Sequence, residues 1–206
     1  MKEIILIIIS YLIGSIPAGF IVGRLKGIDI REHGSGNIGF TNVLRTLGPL
    51  PGAVVFAADL SKGIIPVYLS RIFLENEALP VICGLAAILG HSFTIFLRFK
   101  GGKGVLTTTG VFLALAPLPI LILLALFILI VGASGYVSAG SITCAVLLPI
   151  LMHLLKVDPL TILFGSIASI FIILKHRTNI RRLLAGKENR FNFSRKRMKK
   201  SLQSQE

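Results

Sequence analysis

Phe99-Lys100-Gly101-Gly102-Lys103-Gly104-Val105 is a glycine-rich basic knot between two long apolar runs. Glycines let backbone N–H groups approach a ligand closely, and a helix beginning at Val105 would aim its N-terminus at the same place. With the charge of Lys103 added, the chemistry suggested is anion binding. The nucleotide pattern Gly-x4-Gly-Lys-Ser/Thr is not met, because Gly104 stands where the hydroxyl residue belongs, so the anion read here is phosphate rather than a nucleotide. Taken alone, the stretch also reads as a tight turn with lysines at headgroup level.

Two further segments carry the same kind of chemistry. One is His33-Gly34-Ser35-Gly36-Asn37-Ile38-Gly39-Phe40-Thr41-Asn42 with Arg45; the other is His176-Arg177-Thr178-Asn179-Ile180-Arg181-Arg182, continuing to Gly186-Lys187-Glu188. Together they offer many donors, several cations and few carboxylates, which suits a phosphorylated substrate. Arg45 and Lys103 can neutralise phosphate, one as a bidentate fork and the other as a point charge. Ser35, Gly36, Thr41 and Asn42 supply hydroxyl, backbone and amide donors. His176 and Asn179 are three apart, so a helical continuation puts them on one face, where they could grip one substrate hydroxyl. Each of these residues also has a plain role as cap, turn or snorkelling cation; it is their crowding that argues for a site.

The elements that must position these segments are membrane helices. In 206 residues, 53% are hydrophobic, and the mean hydropathy is +0.83. That exceeds what a globular core can hide. Apolar stretches cover about 4–22, 49–73, 78–97, 105–116, 118–132, 137–155 and 159–174, seven candidate spans. Those at 105–116 and 118–132 are joined only through Ala116-Pro117-Leu118-Pro119 and read either as a hairpin of two spans or as one kinked helix. Net charge is +13, and the basic residues are lopsided. Arg24, Lys26, Arg31, Arg45, Arg98, Lys100, Lys103 and the whole series from Lys175 to Lys200 fall on one side of a seven-span layout, against Lys2, Arg71 and Lys156 on the other. The expectation is an all-α integral membrane protein with seven transmembrane helices, N-terminus outside and C-terminus cytoplasmic. Short or broken helices would surround a site at the cytoplasmic face. A single catalytic domain is expected over 1–191, followed by a basic tail, 192–206, able to contact anionic headgroups. Cleavage of the first span as a signal peptide is not expected, since hydrophobicity resumes past Pro17.

Three other features invite attention. Asp59 and Lys62, three apart near the middle of the second span, read as an internal ion pair. His91 reads as a neutral structural histidine. His153 and Asp158 have the His-x4-Asp spacing of acyltransferases that use thioester donors, but lie at the opposite end from every basic loop. Cys83 and Cys144 sit in apolar runs without partner spacing, so neither a disulfide nor a metal site is expected.

The three polar segments, with Gly90-His91-Ser92-Phe93 leading into the glycine knot, resemble the ordered motifs of the bacterial acyl-phosphate:glycerol-3-phosphate acyltransferases, the PlsY family, over nearly the whole chain. That resemblance implies transfer of a fatty acyl group from acyl phosphate to the 1-hydroxyl of glycerol 3-phosphate, giving lysophosphatidic acid and phosphate at a bacterial inner membrane. It also assigns residues. Ser35, Arg45 and Lys103 would hold the phosphate of glycerol 3-phosphate, and His176 and Asn179 would orient its hydroxyl. Gly101, Gly102 and Gly104, with Gly36, Asn37, Thr41 and Asn42, would receive the acyl phosphate head, and Ser141 would close the pocket. No cofactor or metal is implied. Partners would be the two substrates, membrane lipids and, transiently, the enzyme that makes acyl phosphate; nucleic acid is not expected. A phosphate transporter built from broken helices is the alternative reading, and it would place the site near the midplane between repeats.

Overall fold

A computed structural model describes residues 1–73 and 76–191, which form an all-helical bundle. The expected tail, 192–206, lies outside the described residues. The first apolar stretch is two helices, α1 (Lys2–Ser15) and α2 (Ala18–Leu25). Pro17 has no N–H and interrupts the ladder, and the carbonyls freed by the break find partners elsewhere: Thr94 Oγ1 donates to Ser15 O and Lys62 Nζ donates to Ile16 O. A short helix α3 (Phe40–Leu47) precedes the long α4 (Pro49–Phe73), and α5 (Leu79–Ser92) leads into the glycine knot. The remainder is α6 (Val105–Leu115), α7 (Pro117–Ser134), α8 (Val137–Leu154), α9 (Pro159–Lys175) and α10 (Arg177–Leu184).

Residues 105–134 are two helices. Ala116 leaves helical geometry and Pro117 opens α7 at the position where a missing N–H costs nothing. Five segments are long and apolar enough to cross a membrane: α1–α2, α4, α5 with its extension to Leu97, α7 and α8. The pair α9–α10, bent by 57°, makes a sixth if counted as one span. The chain is a multi-pass membrane protein. The expected span at 105–116 is α6, whose 11 residues reach only about 16 Å at 1.5 Å per residue, roughly half of a ~30 Å hydrocarbon core.

Small residues let the helices approach each other closely, as packing within lipid requires. A Cβ built on Gly14 would lie 2.2 Å from Ala87 O and one on Gly90 2.2 Å from Tyr11 O, so α1 and α5 touch backbone to backbone. The α4–α6 contact is built in the same reciprocal way, with Gly63 against Thr107 O at 2.1 Å and Gly110 against Leu60 O at 2.2 Å. Beside it, Phe112, Leu148, Met152 and Ala168 form the main apolar core. Asp158 accepts from Thr161 N at 2.8 Å and is thereby the N-cap of α9, which gives the His153–Asp158 spacing a structural explanation.

Candidate active site

Four connections meet at one end of the bundle: residues 26–39 before α3, the glycine knot between α5 and α6, the α7–α8 turn, and the stretch from His176 onward. Between them opens a cavity of about 480 Å³. Its polar end is bordered by Ser35, Asn37, Thr41, Asn42, Arg45, Lys103, Gly104, Ser141, His176 and Asn179. Its other end runs between α6, α7 and α8 along Leu113, Ile120, Leu123, Leu124, Phe127, Ala145 and Leu148. One cavity thus joins a cationic mouth to a long apolar trough.

The cations at the mouth differ in their partners. Arg45, in the last turn of α3, is half-buried, and among the described residues its guanidinium makes no hydrogen bond or ion pair. Burial lowers its pKa, with the Glu188 carboxylate opposing and Arg182 adding to the shift. Lys103 Nζ donates to Asn179 Oδ1. Desolvation pulls the Lys103 ammonium down to about 8; nearby Glu188 resists, while Arg182 and Arg45 assist.

Behind Asn179 stands a residue to which the sequence reading gave no role. Glu188, with its side chain 5% exposed, accepts from Asn179 Nδ2 at 2.8 Å, Arg182 Nε at 2.7 Å and Ser138 Oγ at 3.0 Å. Burial raises its pKa, but these donors outweigh that and hold it below the ordinary glutamate value. Glu188 fixes the amide of Asn179 so that Oδ1 faces Lys103. Its presence in the Gly186-Lys187-Glu188 run was visible, but a pairing with Ser138 fifty residues away was not.

His176 sits at the 57° bend between α9 and α10 and is buried. Its Nδ1 lies 2.8 Å from Ile172 O. A carbonyl only accepts, so Nδ1 carries the proton and Nε2 of the neutral ring is left as an acceptor. Ser141, one turn into α8, donates to Val137 O at 3.0 Å and borders the cavity.

Other predicted residues have different duties. Asn42 is a staple for the loop before it: its Nδ2 contacts the carbonyls of Ile30, His33 and Asn37 at 2.9 to 3.1 Å, and its Oδ1 accepts from Ser35 N. No donor remains for a ligand. Asn37 Oδ1 accepts from Gly39 N, and among the described residues its Nδ2 makes no hydrogen bond. Gly36, Gly101 and Gly102 do not border the cavity. Gly36 has φ +70 and donates to His33 O, so it serves the turn. Gly101 N and Gly102 N donate to Ser92 O and His91 O, which corrects the picture of a cradle of free N–H groups at these two positions. They are glycines because a Cβ would lie 2.1 Å from His91 O at position 101 and 2.2 Å from His91 Nε2 at position 102. Gly104, at φ +80, is the N-cap of α6 and does reach the cavity. The Asp59–Lys62 pair exists, at 2.7 Å, and His91 packs beside it.

Comparison with known proteins agrees over almost the full length. The profile model of the family described as Glycerol-3-phosphate acyltransferase matches residues 4–186. A glycerol-3-phosphate acyltransferase of Geobacter sulfurreducens is 47% identical over 191 residues, covering 93% of this chain and 98% of that protein. One from Fusobacterium nucleatum is likewise 47% identical over 190 residues, covering 91% and 97%. Among solved structures, the crystal structure of PlsY (YgiH), an integral membrane glycerol 3-phosphate acyltransferase, in its glycerol 3-phosphate form, superposes with a TM-score of 0.89 at 38% identity, covering 93% of this chain and 96% of that one. The lysophosphatidic acid form of that protein gives a TM-score of 0.87 at 37% identity, with the same coverage.

Proposed function

Since this chain belongs to the glycerol-3-phosphate acyltransferase family, we propose that it transfers a fatty acyl group from acyl phosphate to the 1-hydroxyl of sn-glycerol 3-phosphate, releasing lysophosphatidic acid and phosphate. The observation that carries this reading is the single cavity with a cationic mouth and an apolar trough, for it accommodates a phosphate and a fatty chain together. Among the described residues the Arg45 guanidinium at that mouth has no hydrogen-bond or ion-pair partner, and a phosphate is the counter-ion its geometry suits. Ser35, Arg45 and Lys103 hold the phosphate of glycerol 3-phosphate, and His176 and Asn179 orient the hydroxyl. Gly104, Asn37 and Thr41 receive the donor's head, and the acyl chain lies between α6, α7 and α8. The site faces the cytoplasm of a bacterial inner membrane in a seven-crossing layout with α6 as the short member.

The chemistry asks little of the protein beyond placement. In the acyl phosphate the bond between carbonyl carbon and phosphate oxygen breaks, and the glycerol oxygen forms the new ester bond. The hydroxyl proton passes to the departing phosphate, which leaves as HPO4 dianion, so atoms and charge balance without a strong general acid. Lys103 and Arg45 neutralise charge; as the substrates bind, Nε2 of His176 accepts a hydrogen bond from the hydroxyl and so aims the lone pair of the glycerol oxygen at the carbonyl, and that bond is released as the proton moves to the departing phosphate. The test is purified protein supplied with glycerol 3-phosphate and either acyl phosphate or acyl-CoA, beside a Lys103→Ala variant. Phosphate and lysophosphatidic acid formed from acyl phosphate alone, and lost in the variant, are expected; product from acyl-CoA alone overturns the donor assignment.

A further inference from the structure

Beneath the glycine knot lies a charged cluster to which the mechanism above gives no role, although two of its members, Asp59 and His91, border the same cavity. Asp59 and Lys62 form their 2.7 Å ion pair on α4 with side chains only 3% and 6% exposed. His91, in the last turn of α5, brings Nδ1 to 3.7 Å from the Asp59 carboxylate, and among the described residues that buried nitrogen has no hydrogen-bond partner. An ion pair at such depth adds little stability over apolar residues of like volume, because desolvation offsets the Coulomb attraction. Its placement is the more telling property.

Each member touches a different part of the scaffold around Lys103. Lys62 Nζ donates at 3.1 Å to Ile16 O, a carbonyl exposed by the Pro17 break. The carbonyl of His91 accepts from Gly102 N, and the close approach of Gly102 to Nε2 lays the knot directly on the imidazole ring. One residue beyond Lys62, Gly63 meets the first turn of α6 at Thr107 O. Residues 59–63 of α4 therefore support both ends of the segment that carries Lys103, the α5 end through His91 and the α6 start through Gly63.

We propose that Asp59, Lys62 and His91 form a positioning unit for Lys103: the ion pair fixes the His91 ring as the floor of Gly101-Gly102, and the seated knot sets where the Lys103 ammonium meets the phosphate. This rests on the reading that Lys103 holds the phosphate of glycerol 3-phosphate. In this proposal the three residues, although Asp59 and His91 reach the cavity wall, act through Lys103 rather than through a bond to either substrate.

The decisive variant is the double replacement Asp59→Leu with Lys62→Met, which removes the pair without leaving a lone buried charge. His91→Gln is the second, and decides alone if the double variant does not fold. Each is assayed with one substrate varied at a time, and the unfolding temperature is recorded. The expected result is a folded enzyme whose KM for glycerol 3-phosphate rises about tenfold, with kcat within about threefold and KM for the acyl donor unchanged. A purely structural role would lower kcat through the active fraction and leave both KM values alone, and that result overturns the proposal. Lys103→Ala separates the two layers. If it leaves KM for glycerol 3-phosphate unaltered, the role given to Lys103 fails; if it raises KM while the cluster variants do not, only the positioning inference fails.

Discussion

Lys103 is a cation whose environment opposes its charge, with an ammonium pulled down to about 8 by burial and by the neighbouring arginines. Its charged form is complete well below that pH and is lost as pH rises through it. For the free enzyme, kcat/KM for glycerol 3-phosphate should therefore fall about tenfold per unit above roughly pH 8. A bound phosphate dianion stabilises the ammonium, so the limb in kcat should lie higher. Lys103→Arg stays charged and should lose the limb whatever its absolute rate. Rates measured between pH 7 and 10 check this, and a wild-type kcat/KM flat to pH 9.5 would refute it. Residue type alone told much about Lys103 and Arg45, because a cation beside glycines and hydroxyls has few other uses in an apolar chain. It told less about Asn42, whose four hydrogen bonds to backbone groups of residues 30–37 make it a loop staple. An amide looks the same in sequence whether its partners are backbone or ligand. Glu188 was obscure for a related reason, since its partner Ser138 lies on another helix.

At the scale of elements, the site depends on how closely α4 and α6 approach. Gly63→Val puts side-chain atoms where Thr107 O now stands, and Gly110→Val does the same to Leu60 O. Overpacking of this kind costs about 1–3 kcal/mol. Either variant should unfold at a lower temperature than the parent in the same detergent. Gly132→Ala on α7, where a Cβ meets nothing within 4 Å, should not. Equal unfolding temperatures for all three would show that the α4–α6 contact is not the tight one. The apolar stretches and the Pro17 and Pro117 breaks could be read from residue types, because hydrophobic length and the missing proline N–H act locally. The reasons for Gly63 and Gly110 lie across a helix pair, where the sequence carried no signal for them, and those for Gly101 and Gly102 lie at the end of α5, so the sequence presented these two as a ligand cradle.

For the whole molecule, the asymmetry of basic residues predicts which way the bundle faces. With Cys83 and Cys144 replaced by alanine, a cysteine at Lys2 should react with an impermeant maleimide in right-side-out vesicles, and one at Arg190 only after permeabilisation. The reverse pattern would invert the proposed topology. In that topology α6 has a consequence of its own. If the glycine knot that starts this short helix sits below the headgroups, as the proposed topology implies, the mouth of the cavity would open at the floor of a well rather than on the membrane plane. One reactant arrives counted in moles per litre, the other as a mole fraction of the bilayer, and the depth at which those two scales meet is set by the number of residues between Gly104 and Ala116. One more helical turn there would lift that boundary by about 5 Å and close the well.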